Sequence, residues 1–314
     1  MRIVFLDKES LPVRFTPPRC ASAYVEHARS EPGEVAGRLA GATVAIINKV
    51  PLRAATLACL PELRLIALSA TGYDCVDVDY CRGHDIAVCN VRDYALHSVP
   101  EHVFALLLAL RRNLTSYTTL VAAGAWQRSA QFGLYDAPLQ DLHGSVLGIV
   151  GSGSIGRATA AIGTGFGMRV ICAATPSHPA GAAGRLGLHE LLAAADVVTL
   201  HCPLTPGTRG LIGATELALM KPNAILINTA RGGLVDEAAL VAALRAGQIA
   251  GAGFDVLSVE PPVAGNPLLE LRLPNFMLTP HVAWASAGAM QTLADQLRVN
   301  IDAWADGAPR NLLG

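Results

Sequence analysis

Three polar side chains that could bind an anion and move a proton follow three apolar segments in the C-terminal half of the chain. These side chains are Arg231, Glu260 and His281. Ligands of open α/β sheets bind beside the carboxyl ends of the strands. If the apolar segments are strands, we expect the three side chains to converge on one crevice.

The three residue types suit proton and hydride chemistry at a carbonyl that lies next to a carboxylate. The planar guanidinium of Arg231 can hold both kinds of oxygen and polarise the carbonyl. Imidazole titrates near neutral pH, so His281 can give a proton to the carbonyl oxygen and take it back. A carboxylate beside a histidine favours the charged form and raises its pKa, and Glu260 suits that role. Taken singly, each residue has a structural alternative. Arg231 could form a surface ion pair, Glu260 could be a solvated loop residue, and His281 could be a structural histidine.

Three glycines, Gly151, Gly153 and Gly156, form the pattern G-x-G-x-x-G. The apolar run Val146–Val150 leads into this loop, and a predicted helix, Ile155–Gly165, follows it. In a dinucleotide-binding turn the first glycine permits the tight bend, the second lets the backbone approach the pyrophosphate, and the third lets helix and strand pack closely. An ordinary glycine-rich turn is the alternative, and the strand-to-helix context favours the dinucleotide.

The acidic residue that would bond the adenosine ribose is missing from its expected place, about 20 positions beyond the loop. Ala174 and Thr175 follow the predicted strand Arg169–Ala173, and neither carries a carboxylate. Repulsion of the 2′-phosphate of NADP is therefore removed. Nearby side chains that could contact such a phosphate are Thr175, Ser177, His178 and Arg185, and a loop that contacts nothing specific is the alternative. Both NAD and NADP remain open.

Short β-branched runs alternate with helical stretches along the whole chain, which predicts parallel sheets covered by helices. In the first third the predicted strands are Ile3–Leu6, Val44–Asn48, Leu65–Ser69 and Ile86–Cys89, and the predicted helices are Glu34–Ala40 and Arg53–Cys59. The later strands are Val146–Val150, Arg169–Ala173, Val197–Leu200, Ala224–Asn228, Gly253–Val256 and Met277–Thr279.

Capping signals mark further helices. Ser98 and Glu101 fit a capping box for a helix that runs to near Gly124. Asp236 is the predicted N-cap of a helix over Glu237–Ala246. A last amphipathic helix is predicted over Ala287–Trp304.

The composition of the chain limits the classes of protein to which it can belong. The chain has 314 residues, of which 52% are hydrophobic and 16% charged, with a net charge of -1. Two domains are expected at this length, and nothing favours attraction to nucleic acid or to an acidic membrane. The seven scattered cysteines include no Cys-x-x-Cys pair, which indicates reduced, mostly buried thiols and no metal site. The longest apolar run, Val103–Leu110, is far below the roughly 20 residues of a membrane span. We expect a cytoplasmic protein.

Further motifs accompany the glycine loop and the three polar residues. They are His201-Cys202-Pro203-Leu204-Thr205-Pro206, Met220-Lys221-Pro222, Asn228-Thr229-Ala230-Arg231-Gly232, Asp255-Val256, Glu260-Pro261 and Thr279-Pro280-His281. As a set that spans the chain, they resemble the D-isomer-specific 2-hydroxyacid dehydrogenase family. The resemblance implies that Arg231 binds substrate, that His281 is the acid–base and that Glu260 is its partner.

The resemblance also implies the residues that contact ligands. Expected cofactor contacts are Gly151, Gly153, Ser154, Ile155, Gly156, Ala174, Thr175, His201, Cys202, Pro203, Thr229, Ala230, Arg231, Asp255, His281 and Ala283. Expected substrate contacts are Lys49, Thr71, Gly72, Arg231, His281 and Trp284. A plain turn at Thr71-Gly72 and a solvated Lys49 are the alternatives.

The N-terminal motifs look most like the glycerate dehydrogenase/hydroxypyruvate reductase branch. They are Val4-Phe5-Leu6-Asp7, Asn48-Lys49-Val50, Ala70-Thr71-Gly72-Tyr73-Asp74 and Cys89-Asn90-Val91, with Ala283-Trp284-Ala285-Ser286 near the other end. The implied reaction is reduction of hydroxypyruvate or glyoxylate to D-glycerate or glycolate with NAD(P)H. The alternatives are a phosphoglycerate-type or other D-2-hydroxyacid dehydrogenase, and an NAD(H)-sensing protein of the corepressor type without turnover.

The implied architecture is α/β, with two Rossmann-like, doubly wound parallel-sheet domains and an active-site cleft between them. Residues 1–97 with 285–314 would form the substrate-binding domain, and 98–284 the NAD(P)-binding domain. Family members are usually homodimers through the cofactor domain. The aromatic-rich stretch Trp126–Leu139 is a candidate dimer arm.

Overall fold

Buried β-branched runs form two separate parallel sheets in the computed structural model. The structure describes residues 1–175, 180–181 and 184–313. The chain divides into one unit of Met1–Tyr94 with Ala285–Gly314 and a second unit of Ala95–Trp284. Each unit has its own sheet, so the predicted α/β class with two parallel sheets is confirmed.

The first unit has a five-stranded sheet in the order β2-β1-β3-β4-β5, with every pair parallel. Its strands are β1 Arg2–Phe5, β2 Ala23–Glu26, β3 Val44–Ile47, β4 Leu65–Leu68 and β5 Ala87–Cys89. The sequence patterns did not predict β2. It lies at the edge of the sheet, and its side chains are exposed or half-buried, so no apolar pattern marks it.

The second unit has a six-stranded parallel sheet in the order β11-β10-β9-β8-β6-β7. Its strands are β6 Val146–Val150, β7 Arg169–Cys172, β8 Val197–Leu200, β9 Ile225–Asn228, β10 Gly251–Phe254 and β11 Phe276–Leu278. All six were predicted to within two residues. β6 pairs with β7 on one side and β8 on the other, which makes this the switch point where open α/β sheets bind ligands.

The ends of five of these strands lie in register across the sheet. Val150 pairs with Leu200, Leu200 with Asn228, Asn228 with Phe254, and Phe254 with Leu278. The loops that follow these strands therefore all begin at the same edge of the sheet. This shared edge brings together the residues of the candidate site.

Helices cover the sheets of both units. In the described residues they are α1 Val35–Arg38, α2 Ala54–Leu57, α3 Val78–Arg82, α4 Ser98–Arg111, α5 Leu114–Ala122, α6 Ser154–Gly165, α7 Leu188–Ala194, α8 Ala214–Leu219, α9 Glu237–Arg245 and α10 Ala287–Ala305. None of the helices in this described part is long and apolar enough to cross a membrane.

The start of α9 confirms one capping prediction. For α4, the structure corrects both the predicted N-cap and the predicted length of the helix. The Asp236 carboxylate accepts from the N–H of Ala239 at 3.0 Å, as an N-cap should. Ser98 is not an N-cap, because its hydroxyl donates to the carbonyl of Ala283 at 2.5 Å. The single helix predicted from Ser98 is broken at Asn113, whose φ of 48° is left-handed and ends α4.

Two clusters of buried apolar side chains include residues of the second sheet. Its four central strands, β6, β8, β9 and β10, are fully buried, which is typical of parallel strands with helices on both faces. Residues of α4, among them Val103 and Leu107, pack with Leu147 and Ile227 in one cluster. Burying each such side chain contributes about 1.5–3 kcal/mol. This rigid sheet carries the loops described next.

Candidate active site

His281 lies in a short segment that Asp255 holds from several sides. The backbone of His281 has a left-handed φ of 56°, and its N–H donates to the carbonyl of Asp255 at 2.8 Å. The Asp255 carboxylate is 1% exposed. It accepts from the Thr279 hydroxyl at 2.5 Å and from the N–H groups of Val282 and Ala283 at 2.9 and 2.8 Å. Non-glycine residues persist in such a conformation where the surroundings over-determine it.

His281 and Glu260 form a direct pair. Nδ1 of His281 lies 2.5 Å from Oε2 of Glu260, and the two side chains are 29% and 30% exposed. Oε1 of Glu260 accepts from the N–H of Leu257 at 2.7 Å. An ionised carboxylate only accepts, so the geometry assigns the Nδ1 hydrogen to the imidazole. Nε2 is then the nitrogen that could exchange a proton with a bound molecule.

Arg231 lies in a turn that follows β9 and packs against the segment leading to Glu260. The buried Asn228 amide donates to the carbonyl of Arg231 at 2.9 Å and accepts from the N–H of Ala230 at 3.1 Å. A Cβ on Gly232 would meet the carbonyl carbon of Leu257 at 1.9 Å. Only glycine allows this approach, so the turn of Arg231 and the segment of Glu260 are held together.

The structure therefore brings the three predicted catalytic segments to one edge of the sheet. They follow β9, β10 and β11, which are adjacent and parallel. An imidazole paired with a carboxylate, next to a turn that carries a guanidinium, can bind an anionic substrate and transfer a proton.

The glycine loop connects β6 to α6 at the switch point of the sheet. Gly151 has a φ of 100°, and a Cβ there would lie 2.5 Å from the N of Cys202. A Cβ on Gly156 would lie 2.1 Å from the carbonyl oxygen of Gly151. Packing therefore requires glycine at both positions.

Gly153 differs from the other two glycines of the loop. Its φ of -68° suits any residue, and a Cβ there would meet no heavy atom within 4 Å. Neither the φ value nor packing within the protein requires glycine here, and the open space beside it leaves room for a bound group at the start of α6. The N–H groups at the start of α6, from Ser154 and Ile155, are suited to a phosphate.

Other residues around the loop also fit a dinucleotide. The buried hydroxyl of Thr229 has no hydrogen-bond partner in the described structure, so it is available to a ligand near the end of β9. Nε2 of His201 contacts the Thr199 hydroxyl at 3.1 Å. Burial lowers the pKa of His201 to about 4, so this imidazole is neutral at ordinary pH. The donor set and the glycine cradle fit the dinucleotide that the motif predicts, with Cys202 and Pro203 next along the chain.

The end of β7 carries a cation that sequence spacing alone did not place there. Ala174 donates its N–H to the carbonyl of Leu186 at 2.8 Å, which brings Leu186 alongside the end of β7. Arg185 then donates from Nη1 to the carbonyl of Ala173 at 3.1 Å. Ser177 and His178, also predicted as phosphate contacts, lie outside the described residues. Within the described stretch no carboxylate occupies positions 174–175.

The predicted substrate contacts of the first unit lie at the carboxyl ends of its strands. The N–H of Lys49 donates to the Asp7 carboxylate at 2.8 Å, as does that of Asn48. Burial raises the pKa of Asp7 from its ordinary value, although these backbone N–H groups oppose the rise. The Thr71 hydroxyl donates to the carbonyl of Val91 at 2.8 Å, which anchors the turn before Gly72. Trp284 is the last residue of the other unit.

Motif spacing missed two polar residues that support the site. Nε2 of His102, on α4, lies 2.9 Å from the Thr279 hydroxyl. Because the single hydroxyl proton of Thr279 goes to Asp255, His102 must donate from Nε2. Glu237, at the start of α9, accepts from Ser258. The sequence signals for these two residues were weak. His102 is a lone histidine on an apolar helix, and Glu237 is an acid whose place ordinary helix capping explains.

Among residues 1–175, 180–181 and 184–313, no group of three or more histidine, cysteine, aspartate or glutamate side chains could hold a metal ion. All seven cysteines are free. Only Cys81 and Cys89 are buried, whereas Cys59 is exposed, so the expectation of mostly buried thiols was wrong.

Comparison with known proteins gives consistent matches. Residues 104–283 match the model of the D-isomer specific 2-hydroxyacid dehydrogenase NAD-binding domain. The chain is 49% identical to a glycerate dehydrogenase of Methylorubrum extorquens, over 99% of this chain and 98% of that one. It is 35% identical to a hydroxypyruvate reductase of Blautia hydrogenotrophica, over 89% and 87%.

A solved structure adds to these matches. The NADPH-dependent glyoxylate/hydroxypyruvate reductase of Sinorhizobium meliloti superposes with a TM-score of 0.82 at 31% identity, over 100% of this chain and 97% of that one. The family model covers more than half of the chain, and the first relative nearly all of it. The chain therefore belongs to the D-isomer specific 2-hydroxyacid dehydrogenase family, and it is an oxidoreductase that acts on the CH–OH group and binds NAD or NADP.

Proposed function

We propose that this protein reduces hydroxypyruvate and glyoxylate to D-glycerate and glycolate. The observation that carries the proposal is the His281–Glu260 pair, at 2.5 Å, on the strand end next to the turn of Arg231. Relatives named glycerate dehydrogenase, hydroxypyruvate reductase and glyoxylate/hydroxypyruvate reductase support the choice of substrate.

The proposed roles follow from the chemistry of each side chain. Arg231 binds the carboxylate of the 2-oxo acid and polarises the neighbouring carbonyl. A nicotinamide dinucleotide bound at the glycine loop supplies the hydride that reaches the carbonyl carbon. His281 gives its Nε2 proton to the carbonyl oxygen as the hydride arrives, and becomes neutral. Glu260 orients the ring through Nδ1 and stabilises the imidazolium before transfer.

We assign cofactor binding to the unit Ala95–Trp284 and substrate binding to the unit Met1–Tyr94 with Ala285–Gly314. The glycine loop of the former supports the first assignment. For the latter, backbone N–H groups near Thr71-Gly72 would hold the substrate carboxylate, and Lys49 would add a positive charge. Trp284 would line the substrate from the end of the cofactor unit.

We propose that both NADH and NADPH are accepted. No carboxylate lies at Ala174 or Thr175 to repel a 2′-phosphate, and the guanidinium of Arg185 lies beside the same strand end. Asp255 would bond the nicotinamide carboxamide through the capacity that its three protein donors leave on the carboxylate.

We further propose a cytoplasmic homodimer that forms through the cofactor-binding unit. Large apolar side chains of the predicted arm are open to solvent: Trp126 is 52% exposed, Phe132 88% and Tyr135 65%. Exposed aromatic clusters of this kind mark protein interfaces. Sedimentation of the wild type and of Phe132→Ser tests this, because a dimer held by the arm should dissociate more readily in the variant. Seven free cysteines suit a reducing compartment.

Initial rates with NADH and NADPH against hydroxypyruvate, glyoxylate and pyruvate test the main proposal. We expect the first two substrates to be preferred. His281→Ala should lower kcat by about 10²–10⁴-fold, the usual contribution of general acid catalysis, with dinucleotide binding nearly intact. Wild-type turnover in this variant would contradict the acid–base role. Binding of dinucleotide without turnover of any 2-oxo acid would favour the corepressor-type alternative.

A further inference from the structure

Glu237 makes contacts that ordinary helix capping does not need. It is the first residue of α9, and its carboxylate reaches away from that helix to the segment 257–266. Oε1 accepts from the N–H of Ser258 at 2.7 Å. Oε2 accepts from the Ser258 hydroxyl at 2.7 Å and from the Asn266 amide at 2.8 Å. One carboxylate therefore binds both ends of this segment.

The middle of the segment has little packing of its own. Val259 is 65% exposed and Val263 is 89% exposed. Asn266, in contrast, is buried, and its side-chain oxygen accepts from the N–H of Leu268 at 2.9 Å. The exposed part is thus tied down at its two ends, and Glu237 is the side chain that both ends share.

The Leu257–Ser258 peptide unit links Glu237 to Glu260. Gly232 packs against this unit from one direction, with no room for a Cβ. Glu237 accepts from its Ser258 end. The N–H of Leu257, in the peptide unit immediately before it, donates to Oε1 of Glu260, whose Oε2 contacts His281, and the two units are joined at the Leu257 Cα. A shift of the peptide unit would therefore move the carboxylate that orients His281.

We propose that Glu237 is a positioning residue for the Glu260–His281 pair: it clamps the Leu257–Ser258 peptide and so sets the place of the Glu260 carboxylate. This inference rests on the proposed roles of Glu260 and His281. Charge alone is not its basis, because Glu237 binds the segment through hydrogen bonds of defined direction. A misplacement of about 1 Å is enough to cost on the order of 100-fold in rate.

A double-mutant cycle tests the proposal. Glu237→Ala should lower kcat for hydroxypyruvate reduction by about 10–100-fold while the dissociation constant for dinucleotide changes less than about threefold. In a Glu260→Gln background the same change should add less than about threefold, because the group that Glu237 positions is already lost. Equal losses in both backgrounds would overturn the proposal, because Glu237 would then act independently of Glu260.

Matched variants separate positioning from stability. Glu237→Gln keeps an acceptor for the Ser258 N–H and a donor for its hydroxyl, but its NH2 group faces the Asn266 amide, so kcat should recover only in part, to at least about threefold above that of Glu237→Ala. Glu190→Ala removes a first-turn acid from α7 and should leave kcat unchanged. If Glu237→Ala fails to fold, Ser258→Ala should still lower kcat, because it removes one of the two contacts at that end. No recovery in Glu237→Gln would contradict the hydrogen-bond argument.

Hydrogen exchange gives a readout that needs no turnover. In Glu237→Ala the amides of residues 257–260 should exchange at least tenfold faster than in wild type, while those of β10 stay protected. Unchanged exchange would overturn the clamp whatever the activity. Faster exchange in a protein that reduces no 2-oxo acid would support the clamp and refute the proposed function, so the two failures are distinguishable.

Discussion

Gly153→Ala should separate the binding of dinucleotide from the stability of the fold. The added methyl meets no protein atom within 4 Å, and the φ of -68° is open to alanine. Alanine lowers the entropy of the unfolded chain but is a poorer N-cap than glycine. We therefore expect the free energy of unfolding to change by no more than about 1 kcal/mol.

The same methyl would occupy the space that we assign to the pyrophosphate. Displacement of the phosphate from one N–H would lose a hydrogen bond to a charged group, about 1.5–3 kcal/mol. That loss corresponds to a roughly 10–150-fold larger dissociation constant for the dinucleotide. Gly156→Ala is the matched control: its methyl would lie 2.1 Å from the carbonyl oxygen of Gly151, so it should lower stability by about 1–3 kcal/mol or more.

Thermal unfolding without ligand and fluorescence titration with NADH measure the two effects on the same samples. Gly153→Ala should unfold like wild type and bind weakly, whereas Gly156→Ala should lose stability first. Unchanged NADH affinity in Gly153→Ala would refute the assignment of the open space. A large loss of stability in that variant would refute the argument that packing does not require this glycine.

Three further perturbations have defined outcomes. Glu260→Gln should lower the reductive kcat about 10–100-fold, because the amide no longer offers a charged acceptor to orient the His281 ring through Nδ1; a kcat equal to that of wild type would contradict this. Burial lowers the pKa of His201 from 6.5 to about 4, so between these pH values the unfolded chain binds a proton that the folded chain does not. The free energy of unfolding should therefore fall by up to roughly 3 kcal/mol as the pH drops from 6.5 toward 4. Urea unfolding of wild type and His201→Gln should show this loss in the wild type alone. Arg185→Ala should raise KM for NADPH at least about fivefold and leave KM for NADH unchanged, and parallel changes for both cofactors would exclude a 2′-phosphate contact.

Local patterns predicted the four central strands of the second sheet because these strands are buried on both faces. Continuous apolar runs such as Val197–Leu200 need no distant partner to be recognised. The edge strand β2 was missed for the opposite reason, since an exposed edge has no such run. The break at Asn113 and the bond from Ser98 to Ala283 depend on backbone conformation and on a contact across 185 positions.

By itself, the sequence determined the family, the glycine turn and the three residue types of the candidate site. These are local features: a motif keeps its spacing, and a strand keeps its apolar run, wherever the element lies in the fold. Glycines at positions 151 and 156 could be assigned their roles from order along the chain alone.

Only the tertiary structure decided which side chains support that site. In the structure, Arg185 lies beside the end of β7, His102 contacts the Thr279 hydroxyl, and Glu237 accepts a hydrogen bond from the Ser258 N–H. These contacts join residues that are far apart in sequence, and they depend on the order of parallel strands and on the register that aligns their ends. A hydrogen bond requires its two atoms within about 3 Å, and spacing along a chain cannot specify that distance across a sheet.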